Sequence, residues 1–473
     1  MGCRSVEALH DRRMPLSSEE YLARHESRLV EELTEFVRIP SQSGAPACAP
    51  HIQRAAAWVA DRLRRAGLEN VAVLPTDGHP TVYADWLHAA GAPTVLIYGH
   101  YDVQPPEPLN LWVSPPFEPE IRNGKLFGRG AADDKGGVLA AIAGVEAWLA
   151  GREGPGVNVR FCIEGEEEIG SASFEPLVRR ERDRFACDLV VSADGGQWSA
   201  DQPQLVLSLR GGCGAELRVS GPSHDLHSGM YGGAVLNPLE AICRLLASMR
   251  APDGRIAVEG FYDDVIAPSP HEREQIARLP GDEQTYATAI GVPALHGEPG
   301  FSPHERTGLR PTLEINGLWG GHTGPGPKTV IPAEARAKIH CRLVAKQDPD
   351  RIFELLRRHV ERHTPRGVRA ELSRAPGRSL PYFLSADHPA NRIAAGVLTE
   401  VYGVAPYETR EGGSIPVLSV FQELLAAPTI LFGASTADAN IHAPNEFVYL
   451  RNLHRTARCF ARLLTRLPDY RKV

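Results

Sequence analysis

Over the first 209 residues, short apolar runs of strand character alternate with stretches of helical character. The strand-like runs are rich in β-branched and aromatic residues, as in TVLIYGHYDV from Thr94 and VNVRFCIEG from Val157. Helical stretches such as HIQRAAAWVADRLRRAG, which ends at Gly67, and KGGVLAAIAGVEAWLA, which begins at Lys135, separate them. This alternation predicts an α/β domain with a largely parallel sheet.

A different pattern begins after Leu209. Strand-like and helix-like segments follow in the order β-α-β-β-α-β, from CGAELRVSG to VRAELSRAPG, which is the ferredoxin-like order. A stretch rich in proline and charge, residues 251–310, interrupts the series and predicts a functional or interface loop. The α/β pattern returns near Leu380. We therefore expect a discontinuous α/β domain of residues 1–209 and 380–473, and an inserted α+β domain of residues 210–379.

Length and charge restrict the possible partners. The chain has 473 residues, which exceeds the usual size of a single hydrophobic core and agrees with two domains. Its formal net charge of −7 gives no reason to expect binding to nucleic acid or to an anionic membrane. The longest apolar run, VLAAIAGVEAWLA, is too short to span a bilayer and contains Glu146.

Cysteine usage and the N-terminal sequence predict a cytoplasmic location. The eight cysteines form no C-x-x-C pair, which is most simply explained by a reducing compartment. The first residues, MGCRSVEALHDRR, carry charges where a signal peptide would need its apolar stretch.

Side chains with metal-binding chemistry follow the ends of the predicted strands, which is the edge where ligands bind in such sheets. They are His100, Asp102, Asp133, Asp134, Glu166, Glu167, Glu168, Asp194, Asp438 and His442. Taken singly, each has an ordinary alternative as a cap, turn or solvated loop residue. Together, imidazoles and carboxylates favour Zn²⁺ or a related ion. Their number implies two ions, about 3.5–4 Å apart, that share a carboxylate.

A glycine-rich phosphate loop is the competing interpretation of GRGAAD, which ends at Asp133. The segment departs from the G-x-G-x-x-G pattern of dinucleotide-binding loops. Asp133 and Asp134 would also repel a phosphate. A nucleotide site is therefore disfavoured.

Six ordered motifs resemble the M20 metallopeptidase family, and most of all its cytosolic dipeptidase (carnosinase-like) branch. They are GHYDVQP, GRGAADDKGG, EGEEEIGS, HDLHSGMYGG, TVIPAEA and REGGSIP. The resemblance runs from about Tyr21 to the end of the chain. It implies a zinc-peptidase-like catalytic domain interrupted by an inserted lid domain that also forms a homodimer.

The resemblance also implies a role for each matching residue. His100 and His442 would each bind one of two metal ions, Asp133 would bridge them, and Glu168 and Asp194 would complete the ligand set. Asp102 would accept the free ring N–H of His100. Glu167 would act as general base, and Glu166 receives no role.

Four residues are implied to contact the substrate. His227 would reach the active site of the partner subunit and stabilise the tetrahedral oxyanion, although a lone loop histidine is also an ordinary surface residue. Arg342 would pair with a terminal carboxylate, although its strand setting also permits a structural ion pair. Thr329 and Ser414 match further substrate-contacting positions of the family.

The expected function is two-metal hydrolysis of the amide bond in dipeptides or very short peptides, with Glu167 activating a metal-bridging water. Zn²⁺ and Mn²⁺ are the expected cofactors, and Co²⁺ is also compatible with these ligands. The first alternative is the same chemistry on another amide, as in N-acyl amino acid deacylases, desuccinylases and carbamoyl-amide hydrolases. The second is a binding protein of the same fold without chemistry, which the intact set of matched positions disfavours.

Overall fold

A computed structural model of the chain describes residues 16–151, 156–413 and 415–470. These residues divide into two units. The first contains the described residues of Met1–Pro203, Pro389–Pro406 and Ala427–Val473, and the second contains those of Gln204–His388 and Tyr407–Ala426. Ser414 and the N-terminal segment examined for a signal peptide lie outside the described residues.

Helices and strands alternate along most of the chain. The helices are α1 (Ser18–Arg24), α2 (Glu26–Val37), α3 (Ala49–Arg65), α4 (Lys135–Ala150), α5 (Phe174–Arg180), α6 (Arg182–Phe185), α7 (Ser228–Tyr231), α8 (Pro238–Ser248), α9 (Pro270–Ala277), α10 (Glu283–Ile290), α11 (Pro303–Gly308), α12 (Pro349–His363), α13 (Pro389–Tyr402), α14 (Pro416–Val420) and α15 (Leu450–Arg466). The strands are β1 (Glu69–Leu74), β2 (Thr81–Trp86), β3 (Thr94–His100), β4 (Glu120–Arg122), β5 (Lys125–Phe127), β6 (Asn158–Glu164), β7 (Leu189–Ser192), β8 (Gly196–Gln197), β9 (Gln204–Leu209), β10 (Gly211–Ser220), β11 (Leu226–His227), β12 (Thr312–Gly320), β13 (Val330–Ile331), β14 (Glu334–Leu343), β15 (Arg369–Ser379), β16 (Tyr382–Phe383), β17 (Tyr407–Glu411), β18 (Thr429–Leu431), β19 (Ser435–Thr436) and β20 (Phe447–Tyr449).

The main sheet of the first unit has six strands in the order β1-β2-β6-β3-β7-β18. Strands β6, β3, β7 and β18 are mutually parallel, as the alternation of strands and helices predicted. Strand β2 runs antiparallel to both of its neighbours, so the sheet is mixed. The short connection between β1 and β2 accounts for this, because parallel neighbours need a long crossover.

Helix α4 lies at the centre of the first unit. It is buried from Lys135 to Trp148 and packs against β3, α1, α2 and α15. A helix that is apolar on nearly all sides is stable only when neighbours cover every side. Gly144 permits the close approach of α15, because a Cβ there would lie 2.6 Å from the carbonyl oxygen of Ala457.

The second unit contains the predicted ferredoxin-like order, formed by β10, α8, β12, β14, α12 and β15. Its four strands form an antiparallel sheet in the order β12-β14-β10-β15. Alternate residues of the central strands, such as Leu217 and Ile339, enter a core that also contains Leu245 and Leu356 of the two helices. The period of two along β10 and β14 therefore separates this core from the opposite face of the sheet.

The residues at which one unit gives way to the other differ from the predicted boundaries. Strand β9 pairs in parallel with β17 and antiparallel with β16, so residues 204–209 and 407–426 belong to the second unit. The polar sequence of β17, YETRE, gives no strand signal by itself, and its pairing with β9 is what makes it a strand.

Residues 251–310, which were predicted as a loop, contain three short helices, α9, α10 and α11. Each begins with a side-chain cap, from Ser269, Asp282 and Ser302 respectively. Within the ranges that the structure describes, no helix is both long enough and apolar enough to cross a lipid bilayer.

Candidate metal centre

The parallel strands of the first unit end at one edge of the sheet, and this edge carries most of the predicted site. His100 is the last residue of β3, Glu167 and Glu168 follow β6, and Asp194 follows β7. Asp133 lies two residues before α4. These positions follow from the topology, because parallel strands present their carboxyl ends to the same edge.

Asp133 lies between the two histidines. Its Oδ1 is 3.0 Å from Nε2 of His100, and its Oδ2 is 3.0 Å from Nε2 of His442. The two histidines are far apart in sequence, and the loop after β18 brings His442 to the edge where β3 ends. One carboxylate thus presents a different oxygen to each imidazole.

Two groups of side chains share Asp133. In each group the possible ligand atoms all lie within 4.8 Å of one another, and the groups are His100, Asp133 and Asp194, and Asp133, Glu168 and His442. In the second group, Nε2 of His442 is also 3.2 Å from Oε2 of Glu168. This arrangement can hold two cations with Asp133 between them.

The electrostatics of the cluster favour positive charge beside its carboxylates. Hydrogen bonds from His442 to Asp133 and Glu168 raise the pKa of the imidazole to about 10. Burial by itself would raise the pKa of Asp133, but its hydrogen bonds with His100 and His442 outweigh burial and lower it. Divalent cations held by this cluster would supply the same positive charge and would leave both imidazoles neutral and free to coordinate.

Asp102 connects His100 to the glutamate turn. Both side chains are fully buried, and Nδ1 of His100 lies 3.1 Å from the backbone oxygen of Asp102 and 3.4 Å from its Oδ1. The carboxylate oxygens of Asp102 accept the backbone N–H groups of Glu167 at 3.2 Å and Glu168 at 3.1 Å. The residue therefore holds the ring of His100, which fits the predicted role, and also the backbone of the turn.

Glu167 begins a short 3₁₀ turn, Glu167–Ile169, which ends at Gly170 in the left-handed conformation. Desolvation raises its pKa, His100 opposes this rise, and the nearby carboxylates Asp194 and Glu164 add to it, so that the pKa lies well above the ordinary value. A carboxylate with a raised pKa close to His100 and Asp194 has a property that a general base needs.

The other two glutamates have different surroundings. Glu168 accepts a hydrogen bond at 2.9 Å from Nε2 of Gln104, a residue that the sequence analysis did not single out. Glu166 is buried and accepts the backbone N–H groups of His79 and Ser173, so it anchors two loops. The EGEEEIGS segment is therefore not a solvated loop.

Two further carboxylates lie beside the ligand cluster: Asp134, a sequence candidate that received no role, and Glu446, which the sequence analysis did not single out. Asp134 accepts the backbone N–H of His100 at 3.2 Å through Oδ2. Glu446 is fully buried and accepts the backbone N–H of Asp133 at 3.1 Å. The feature of the sequence that could have pointed to Glu446 is its position four residues after His442. Asp438, a candidate from its position near the last strand, instead accepts hydrogen bonds from Thr436 and Tyr449, as a turn residue does.

The predicted residues His227, Thr329 and Arg342 lie in the second unit. His227 is exposed, and its Nδ1 accepts the backbone N–H of Gly229 at 3.0 Å. Strand β11 pairs with β13, which brings His227 beside Thr329, whose backbone oxygen accepts the N–H of Ser228. Arg342 lies on β14 in a cleft of about 860 Å³. The cleft is also lined by further basic side chains, including Arg210, Lys338 and His340.

The chain is similar in sequence to a known peptidase family and to curated dipeptidases. Residues 96–466 match the family model described as peptidase family M20/M25/M40. The chain is 30% identical to the Cys-Gly metallodipeptidase dug1 of Schizosaccharomyces pombe, over 93% of this chain and 96% of that protein. It is 31% identical to the Beta-Ala-His dipeptidase of Homo sapiens, over 93% of this chain and 90% of that protein.

A solved structure is similar along nearly the whole chain. The M20 family metallo-carboxypeptidase Sso-CP2 of Sulfolobus solfataricus superposes with a TM-score of 0.81 at 30% identity, covering 93% of this chain and 99% of that one.

Proposed function

The chain belongs to peptidase family M20/M25/M40, and we propose that it is a two-metal enzyme that hydrolyses dipeptides or very short peptides. The observation that carries the proposal is the shared carboxylate of Asp133, with one oxygen facing His100 and the other facing His442. A site of this kind is common in hydrolases that use two metal ions.

The ligand set fits two first-row divalent cations. Each candidate group offers one imidazole and two carboxylates, which suits Zn²⁺, Mn²⁺ or Co²⁺ better than it suits Ca²⁺. We propose Zn²⁺ or Mn²⁺ as the native metal. When bound, such ions lower the pKa of a water between them and polarise the carbonyl of the substrate.

Glu167 is the proposed general base. Its raised pKa allows it to accept the proton of the attacking water and to return that proton to the amine leaving group. Asp102 contributes indirectly, because its backbone oxygen and carboxylate hold Nδ1 of His100 and leave Nε2 directed at the ligand cluster.

The second unit is the proposed lid and dimerisation domain. In a homodimer His227 would act on the substrate bound by the partner subunit. Because Nδ1 of His227 accepts a hydrogen bond, the ring proton is on Nε2, which can then donate to an oxyanion. Arg342 would pair with the terminal carboxylate of the substrate, and Thr329 and Ser414 would also contact the substrate.

A cytoplasmic location completes the proposal. Its support is that the cysteines within the described ranges are all free thiols, including the partly exposed Cys48 and the exposed Cys243.

The test is a substrate panel on protein depleted of metal by a chelator and then reloaded with Zn²⁺, Mn²⁺ or Co²⁺. The panel contains Cys-Gly, β-Ala-His and dialanine, together with N-acetyl and N-succinyl amino acids. We expect at least one metal to restore dipeptide hydrolysis, and Glu167→Gln to remain inactive with every metal. Rapid hydrolysis of the N-acyl amino acids without dipeptide hydrolysis would instead assign the enzyme to another class of amide hydrolases.

A further inference from the structure

We propose that Glu446 is a positioning residue that holds Asp133 and His442 at the separation that the second cation requires. This inference rests on the proposed two-metal function and assigns a role to a residue outside the ligand set. Glu446 is one of the most deeply buried carboxylates of the first unit, with a relative exposure of 0%.

Both carboxylate oxygens of Glu446 accept hydrogen bonds from the segment that leads to Asp133. Oε1 accepts the backbone N–H groups of Ala132 at 2.9 Å and Asp133 at 3.1 Å. Oε2 accepts the backbone N–H of Gly130 at 3.0 Å and Nη1 of Arg129 at 2.6 Å. Four donors thus converge on one carboxylate, and three of them belong to the backbone just before and at the bridging residue.

The backbone of Glu446 is attached to the same segment. Its oxygen accepts the N–H of Gly128 at 2.9 Å, and β20, which begins at Phe447, pairs with β5. Since Glu446 is only four residues after His442, the loop that carries this imidazole is connected at its end to the segment that carries Asp133. Any displacement of one loop is therefore transmitted to the other.

Arg129 also contacts the loop that carries His442, residues 437–446, which we call the histidine loop. Its guanidinium has a relative exposure of 1%, and Nη2 donates to the backbone oxygen of Ala443, the residue after His442, at 3.5 Å. Nη2 also donates to the oxygen of Pro105 at 3.3 Å. The pair of Arg129 and Glu446 therefore connects three loops of the site.

The histidine loop needs such external contacts because its own backbone is unfavourable. Asn440, His442 and Asn445 all have φ between 55° and 62°, in the left-handed region. Asparagine tolerates this region better than most residues with a Cβ, but three such residues within six positions are unusual. Conformations of this kind persist only when the surrounding structure holds them. Glu446 and Arg129 supply contacts that do so.

The effect of substituting Glu446 follows from the groups that donate hydrogen bonds to its carboxylate. In Glu446→Gln, an amide NH₂ replaces one acceptor oxygen and faces N–H groups, and the buried Arg129 loses its counter-charge. The loops that carry Asp133 and His442 can then separate. The group of Asp133, Glu168 and His442 contains a side chain from each of these two loops, whereas the group of His100, Asp133 and Asp194 contains only Asp133 from them. We therefore expect the group of Asp133, Glu168 and His442 to weaken most.

The experiment is a Co²⁺ titration of the metal-free protein, followed by visible absorption and by equilibrium dialysis. The wild type is expected to bind two ions. Glu446→Gln is expected to bind one of them with near-native affinity and the other about 10- to 100-fold more weakly. Glu446→Asp, which keeps the charge and the acceptors, is expected to recover part of that loss.

A matched control separates positioning from simple stabilisation. Glu146→Gln makes the same chemical change at another buried carboxylate of the first unit that is paired with an arginine, and it should lower the melting temperature without changing either Co²⁺ affinity. If Glu446→Gln does not fold, Glu446→Asp and Arg129→Lys carry the test.

The proposal is overturned if the folded variants of Glu446 and Arg129 bind both ions as tightly as the wild type does. It is also overturned if their affinities for the two ions fall by the same factor. A wild type that does not bind two ions would contradict the proposed function itself, and the two failures are therefore distinguishable.

Discussion

Glu166, Glu167 and Glu168 are identical residues in sequence, and the fold gives each of them a different task. Glu166 is buried under two loops whose backbone N–H groups it accepts. Burial raises the pKa of Glu167 and nearby carboxylates add to this rise, whereas Glu168 lies 3.2 Å from His442. The difference arises from the direction that each side chain takes in a tight turn, because the chemistry of the three is the same.

The first prediction concerns Glu167→Gln. As the proposed general base, Glu167 contributes proton transfer alone, so the variant should bind two metal ions as the wild type does while kcat falls by at least about 100-fold. Elemental analysis of the purified variant and steady-state hydrolysis of a dipeptide are the measurements.

Two further variants serve as controls for Glu167→Gln. Glu175→Gln, at an exposed position of α5, should keep native activity, whereas Asp133→Ala should lose metal together with activity. Near-native turnover in Glu167→Gln would show that another group is the base, and full metal occupancy in Asp133→Ala would refute the bridging role.

At the scale of elements, one arginine connects three helices of the first unit. Arg62 of α3 has a relative side-chain exposure of 1% and pairs with Glu32 of α2 at 2.8 Å and with Glu146 of α4 at 2.5 Å. Both glutamates are nearly buried. Together with the pairs of Arg65 with Glu32 and of Arg28 with Glu146, these directional contacts fix the relative position of the three helices.

The second prediction is a loss of stability in Arg62→Met. Removing the shared cation leaves Glu32 and Glu146 with only their partly exposed partners, Arg65 and Arg28. The free energy of unfolding should therefore fall by about 3 kcal/mol, the lower end of the cost of breaking a buried ion pair. Denaturant unfolding followed by circular dichroism measures it.

Arg65→Met is the matched control for the second prediction. Arg65 also pairs with Glu32, but its side chain is 48% exposed, so its loss should cost at most about 1 kcal/mol. Equal effects of the two substitutions would mean that the buried network contributes nothing beyond ordinary packing.

The third prediction is a pH dependence that depends on Glu146. Burial would raise the pKa of this carboxyl, but Arg62, and then Arg28, outweigh burial and hold it below the ordinary value of 4.5. As the pH falls below 4.5, the unfolded chain binds a proton before the folded chain does, so unfolding takes up a proton and stability decreases.

The stability advantage of the wild type over Glu146→Gln should therefore be full above pH 4.5 and should shrink as the pH falls through the lowered folded-state pKa. Melting temperatures of both proteins between pH 7 and pH 3 test this. A difference between them that does not change with pH would contradict the assigned ionisation.

At the scale of the whole molecule, the proposed homodimer makes the fourth prediction. An inactive His227→Ala chain is mixed with an inactive Glu167→Gln chain, and the subunits are allowed to exchange. If His227 serves the partner subunit, one site of each mixed dimer carries both changes and the other carries neither, so activity should return. Each single variant should be about 100- to 1,000-fold less active than the wild type.

The outcome is decided by exchange and by activity measured on the same sample. Exchange is followed by native mass spectrometry of chains that differ in mass. If mixed dimers form and the sample stays inactive, His227 serves its own subunit and the dimer is not required for catalysis.

The sequence by itself determined the family, which the comparisons confirm, and the α/β and ferredoxin-like order of elements. Periodicity reports which face of an element is buried, and the ends of parallel strands must share an edge. His100, Asp133, Glu168 and Asp194 were therefore predicted to lie together, and the structure places them so. Their individual roles remain predictions.

Only the tertiary structure decided how that cluster is held. The contact of Glu446 with the N–H groups before Asp133 joins positions more than 300 residues apart, and backbone N–H groups carry no signature in a sequence. The same holds for β17, a polar segment that becomes a strand because β9 offers it partners. Local sequence determines which residues face a site, whereas the partners of a buried charge depend on which loops the whole chain brings together.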